Sequence, residues 1–111
     1  MESKLRPDDP GCVEAATSIL GDKWTPRILR AMTQKGPIRF GELQELTGGV
    51  NPRTLSARLC SLELEGIITK TTYAEVPPRS EYLLTQKGID LLPILKSMAE
   101  WGLKYRPRSK K

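Results

Sequence analysis

Leu43-Gln44-Glu45-Leu46-Thr47-Gly48-Gly49-Val50-Asn51-Pro52-Arg53-Thr54-Leu55-Ser56-Ala57-Arg58-Leu59 is the stretch whose conformation decides the fold. Leu43 and Leu46 lead into two adjacent glycines, which give the backbone the freedom a tight turn needs. Asn51 then offers a capping side chain, and Pro52 a first helical residue whose missing amide is no loss, so a new helix opens there. Leu55, Leu59 and Leu62 line one face of this helix, expected from Pro52 to Glu65 with Gly66 as its C-terminal cap; Arg53, Thr54, Ala57 and Ser61 fall on other faces. Two short helices about a glycine turn form a helix-turn-helix, and the N-terminal part of the second is shaped to approach base edges in a major groove.

Immediately downstream, Ile67 to Ala74 and Ser80 to Leu84 flank Glu75-Val76-Pro77-Pro78-Arg79, which reads as a two-stranded hairpin with a stiff, arginine-bearing tip. Neither proline can donate a ladder hydrogen bond, which places both at the tip or on an edge. A helix-turn-helix followed by a hairpin predicts an α+β fold, a winged helix-turn-helix with additional N- and C-terminal dimerisation helices.

Upstream, Phe40 to Thr47 is the first helix of the motif, with Phe40, Leu43 and Leu46 on one face and Ile38 beginning its approach. Val13 to Leu20 is a short opening helix, and Asp22 caps another running from Lys23 to about Gln34, with Pro26 tolerated in its first turn. Trp24 and Phe40 read as core anchors. The longest helical segment, Gln86 to about Tyr105 behind a Thr85 cap, carries apolar residues over roughly two-thirds of its circumference, more than one small subunit covers. The surplus predicts a homodimer held by Val13, Ala16 and Ile19 of the opening helix with Leu91, Leu95, Met98 and Trp101 of the last. A twofold pair presents two recognition helices about 34 Å apart, one turn of DNA, or a multiple of it. Leu64 lies off the leucine stripe, under the wing or against a partner.

Composition sets the outer bounds. A chain of 111 residues, 38% of them hydrophobic, supports one domain. We divide it into a lead-in at 1–11, a DNA-binding and dimerisation domain at 12–105, and a basic tail at 106–111. The net charge of +5 is carried by Lys104, Arg106, Arg108, Lys110 and Lys111, so the body is neutral. The tail serves solubility or a phosphate backbone equally well. More telling is that Asn51 to Leu62 holds Arg53 and Arg58 but no acid. No window approaches eighteen apolar residues and no signal-peptide pattern opens the chain, so a cytoplasmic protein with no membrane contact is expected. Cys12 and Cys60 are too few for a disulfide scaffold, and without histidine there is no usual metal-ligand set. Cys60 reads as buried filling within its helix. No glycine-rich phosphate loop and no cluster of acids speaks for catalysis or a cofactor. The competing class is a winged-helix protein-interaction module without DNA binding; Arg53, Arg58 and Arg79 together favour DNA.

Gly21-Asp22-Lys23-Trp24-Thr25, Gly36-Pro37-Ile38-Arg39-Phe40-Gly41-Glu42-Leu43, Asn51 to Leu59, Gly66-Ile67-Ile68, Pro77-Pro78-Arg79-Ser80-Glu81-Tyr82, Leu84-Thr85 and Gly88 resemble the HxlR-type family of winged-helix transcription regulators, similar in architecture to the MarR group. The resemblance runs from Gly11 to Trp101. It implies a cytoplasmic homodimer on a palindromic double-stranded DNA operator, by family tendency a repressor. It also implies DNA contacts at Asn51, Pro52, Arg53, Thr54, Ser56 and Arg58, with Pro77, Pro78 and Arg79 at the wing; Arg39, opening the motif, is placed with them. Several members of that family use an N-terminal cysteine followed by proline as a redox switch. Here Gly11 stands where the cysteine is usual and Cys12 where the proline is, so Cys12 is the candidate redox residue, displaced by one position. Pro26-Arg27 likewise replaces a more apolar pair. A small-molecule effector is left unidentified: a dimer-interface cavity could accept an apolar molecule, but no polar ligand set marks one.

Overall fold

The computed structural model describes residues 10–33 and 36–106, with backbone alone for 10–12. In chain order the elements are α1 (Pro10–Leu20), α2 (Thr25–Ala31), β1 (Ile38–Arg39), α3 (Phe40–Leu46), α4 (Pro52–Leu64), β2 (Ile68–Tyr73), β3 (Arg79–Leu84), α5 (Gln86–Ile89) and α6 (Leu92–Tyr105). Helix α1 begins at Pro10, inside the stretch read as lead-in; Met1 to Asp9 and residues 107–111 of the tail lie outside the described residues.

Asp22 starts α2 as its sequence position suggests. Its Oδ1 accepts from the amides of Trp24 at 2.7 Å and Thr25 at 2.8 Å, and its Oδ2 accepts from the Thr25 hydroxyl at 2.6 Å. Ile28 and Leu29 of α2 then enter a core shared with Leu43, Val50, Leu55, Leu59, Leu62, Ile67, Ile68 and Tyr82. Trp24 and Phe40 are partly buried against that core. Leu46, expected beside Leu43, is half exposed, because α3 is only two turns long and ends at the rim.

The hairpin is part of a larger sheet. Three antiparallel strands lie in the order β1-β3-β2, with Ile38 opposite Tyr82 and Arg39 opposite Glu81. The expected two-stranded wing therefore gains a third strand from the approach to α3. Gly66 holds φ +77° at the end of α4, as a C-terminal cap requires, and the Ile67 amide donates to the Leu62 carbonyl at 2.9 Å.

The single long C-terminal helix is corrected to two. Thr85 caps α5 by accepting from the Gly88 amide, but the helix stops at Ile89, and Pro93 sits in the first turn of α6. Proline lacks the amide that a continuous helix would need at that point and suits a helix start instead. Gly88 packs so close to the Ile67 carbonyl that no side chain fits. The break lets Leu91 and Leu95 turn inward, where both are buried in the subunit's own core. They are thereby withdrawn from the dimerisation set. Among the described residues no helix is long and apolar enough to cross a membrane.

Candidate nucleic-acid interface

The turn between α3 and α4 is built as its residues dictate. Gly48 and Gly49 hold φ of +87° and +82°, a region side-chain-bearing residues avoid. The Gly49 amide donates to the Gln44 carbonyl at 2.8 Å, and Gln44 Nε2 donates to the Val50 carbonyl at 3.0 Å, while Val50 itself is buried. Asn51 Oδ1 then accepts from the amides of Arg53 at 2.8 Å and Thr54 at 3.4 Å, closing the first turn of α4. With Leu55, Leu59 and Leu62 seated in the core, the N-terminal turn projects outward, and Asn51, Pro52, Arg53 and Ser56 are exposed. Thr54 is half-buried. A helix N-terminus adds its own partial positive charge to that of Arg53.

Two expected cations are engaged elsewhere. Arg58 stands about 140° around the helix from Arg53, and its Nε lies 3.4 Å from Asp22 Oδ1. It ties the middle of α4 to the cap of α2. Burial works to raise the Asp22 carboxyl, but the Thr25 hydroxyl, the Thr25 and Trp24 amides and the Arg58 guanidinium outweigh it, holding Asp22 below its ordinary value of 3.8. Arg79 is not at the wing tip. It is the first residue of β3, opposite Tyr73, with its guanidinium 4.4 Å from the centre of the Tyr73 ring. Its Nη2 lies 3.2 Å from a Glu75 carboxylate oxygen and its Nη1 3.8 Å from one of Glu81. The tip proper is Val76, Pro77 and Pro78, all exposed. Arg39 is exposed at the junction of β1 and α3, its amide donating to Glu42 Oε1 at 2.9 Å.

Cys60 is exposed rather than buried. Seven residues after Arg53, it returns two turns later to almost the same side of α4, a position that helical arithmetic gives from sequence. Leu64 packs under nothing and is 84% exposed. Cys12 lies in α1, and its side chain is outside the described residues.

The apolar surface expected on the flanking helices is present in revised form. Val13 of α1 and Ile94, Met98, Trp101 and Tyr105 of α6 are exposed, the Trp101 and Tyr105 rings 5.3 Å apart. Ala16 and Ile19 are half-buried, Ile19 against the core. An open groove of about 650 Å³ runs between α2 and α6, lined by Leu92, Leu95, Ala99 and Leu103 with Arg30 and Lys96 among its polar groups. Arg27, the departure after the tryptophan, lies with its guanidinium 5.2 Å from the Trp24 ring centre.

A family model described as HxlR-like helix-turn-helix matches residues 19–110. An uncharacterised HTH-type transcriptional regulator of Halalkalibacterium halodurans is 42% identical over 87 residues, covering 78% of this chain and 77% of that one. The uncharacterised HTH-type transcriptional regulator YdeP of Bacillus subtilis is 38% identical over 102 residues, 91% of this chain and 79% of its own. Among solved structures, the redox regulator HypR in its oxidised form superposes with a TM-score of 0.77 at 35% identity, covering 87% of this chain and 99% of HypR. Diamide-treated YodB from B. subtilis gives 0.69 at 28%, covering 96% of this chain and all of that one.

Proposed function

Because the chain belongs to the HxlR-like helix-turn-helix family, whose members are transcriptional regulators rather than enzymes, we propose that it binds a palindromic double-stranded DNA operator as a homodimer and represses transcription there. The observation that carries this reading is the first turn of α4: capped by Asn51, exposed, free of acids and headed by Arg53. Arg53 is the base-contacting residue, with Asn51, Thr54 and Ser56 beside it, and Arg39, Pro77 and Pro78 lie toward the flanking backbone. The exposed Val13, Met98 and Trp101 support assembly through α1 and α6.

Thiol-based regulation is the second reading, and its support is the likeness to HypR, described as a redox regulator, and to YodB treated with diamide. Cys12, on α1, is the residue this reading uses, and Cys60 must be tested beside it. Footprinting on genomic DNA identifies the operator; sedimentation at micromolar concentration should report twice the chain mass. Gel shifts of wild type, Cys12→Ser and Cys60→Ser with and without diamide then decide the regulation. Release of wild type but not Cys12→Ser supports the switch, and an oxidant-insensitive wild type removes it. A monomer that binds no duplex would overturn the primary reading.

A further inference from the structure

The outward face of α4 has an unusual composition beyond its first turn. With Leu55, Leu59 and Leu62 directed into the core, the opposite side of the helix carries Arg53, Ala57, Cys60 and Leu64, all within about 60° of one another at 100° per residue. All four are exposed. After Arg53 this row has no charge and only a thiol, a weak hydrogen-bond donor, as a polar group. Such a row cannot read the donor and acceptor pattern of base edges. One feature of the major groove is apolar, the C5-methyl group of thymine.

We propose that Ala57 and Cys60, extended by Leu64, determine operator specificity by packing on thymine methyls two to three base pairs from the one that Arg53 reads. This rests on the DNA-binding reading above. Along a helix rising 1.5 Å per residue, Ala57 lies about 6 Å and Cys60 about 10 Å from Arg53, or about two and three base-pair steps of 3.4 Å. Each half-site should therefore hold a guanine for Arg53 and thymines two to three base pairs away. The apolar side chains are continuous with the Arg53 contact on the same helix face, so the duplex that takes one takes the other. Cys60 contributes here as a small apolar group, and no covalent chemistry is invoked.

The test uses duplexes selected from a random pool by the full-length protein. Replacing the thymines at these positions by deoxyuridine removes the methyl and nothing else; binding should weaken about fourfold per methyl, the equivalent of one buried carbon. The same replacement elsewhere in the site should change nothing. Cys60→Ala should preserve the thymine-to-uracil ratio, whereas Cys60→Ser, which presents a hydroxyl to the methyl, should shrink it, and circular dichroism checks that both variants are folded. Tight, selective binding that is indifferent to deoxyuridine at these positions overturns this inference alone. Failure to enrich any duplex overturns both it and the reading beneath it.

Discussion

Replacing Asp22 by alanine tests whether α2 and α4 are joined at the point the geometry indicates. The carboxylate accepts from the amides of Trp24 and Thr25 and from the Thr25 hydroxyl, and pairs with Arg58. Loss of the cap alone costs about 1 kcal/mol. Thr25 is only 2% exposed, so its hydroxyl loses a partner that water does not replace, at about 1 to 3 kcal/mol. The ion pair is partly solvated on both sides, with side-chain exposures of 39% and 33%, and adds at most about 1 kcal/mol. The total is about 2 to 5 kcal/mol, while Arg58→Ala should cost about 1. Urea unfolding of both single variants and the double variant measures this, and the coupling between the two residues should be under about 1 kcal/mol. If Arg58→Ala proves as damaging as Asp22→Ala, the ion pair rather than the cap holds the helices. The carboxyl's folded pKa is depressed below 3.8, so its contribution is complete above that value and is lost as pH falls through the lower folded value. Acid unfolding of Asp22→Asn should accordingly show a shallower pH dependence below pH 4 than wild type.

Gly88→Ala should destabilise the subunit by about 1 to 3 kcal/mol in thermal or urea unfolding, because the added carbon meets the Ile67 backbone carbonyl, which cannot yield as a side chain can. Arg53→Ala should weaken operator binding by about 1 to 3 kcal/mol per half-site while leaving random duplex little changed, as a gel-shift titration would show; equal losses on both would place Arg53 on phosphate instead. Arg79→Ala should leave the salt dependence of binding unchanged, since its charge is taken up by Glu75 and Glu81; a lowered slope would mean that DNA draws the side chain outward. In a Cys12→Ser background, a bulky maleimide on Cys60 should abolish binding, and retained binding would place the duplex off the outward face of α4.

Much of this architecture is legible without coordinates because its signals are local. The glycine pair, the Asn51 cap, Pro52 and the leucine spacing act within a few residues of one another. Strand β1 is different: two residues carry no periodicity, and Ile38 becomes a strand only because the edge of β3 is there to bond it. The fates of Arg58 and Arg79 were equally closed to a linear reading, since Asp22 is remote in sequence from one and a cross-strand Tyr73 fixes the other. Two differences had readable signals. Pro93 marks the start of α6, and the seven-residue interval from Arg53 puts Cys60 outside. Cysteine's usual preference for interiors points the other way, and here the helical position prevails.

The placement of β1 has a mechanical consequence. A wing joined to the rest of the subunit by β2 and β3 alone would swing about its base and adjust to grooves of different width. Here the strand that feeds α3 is hydrogen-bonded to the return strand of the wing, with Arg39 opposite Glu81 and Phe40 opening the helix one residue later. The base of the wing, at Glu81 and Tyr82, is thus tied directly to the start of the helix-turn-helix, a coupling that resists swinging of one against the other. In the homodimer proposed above, tolerance for an operator of irregular spacing then falls to rotation of one subunit against the other, through the helices proposed to join them.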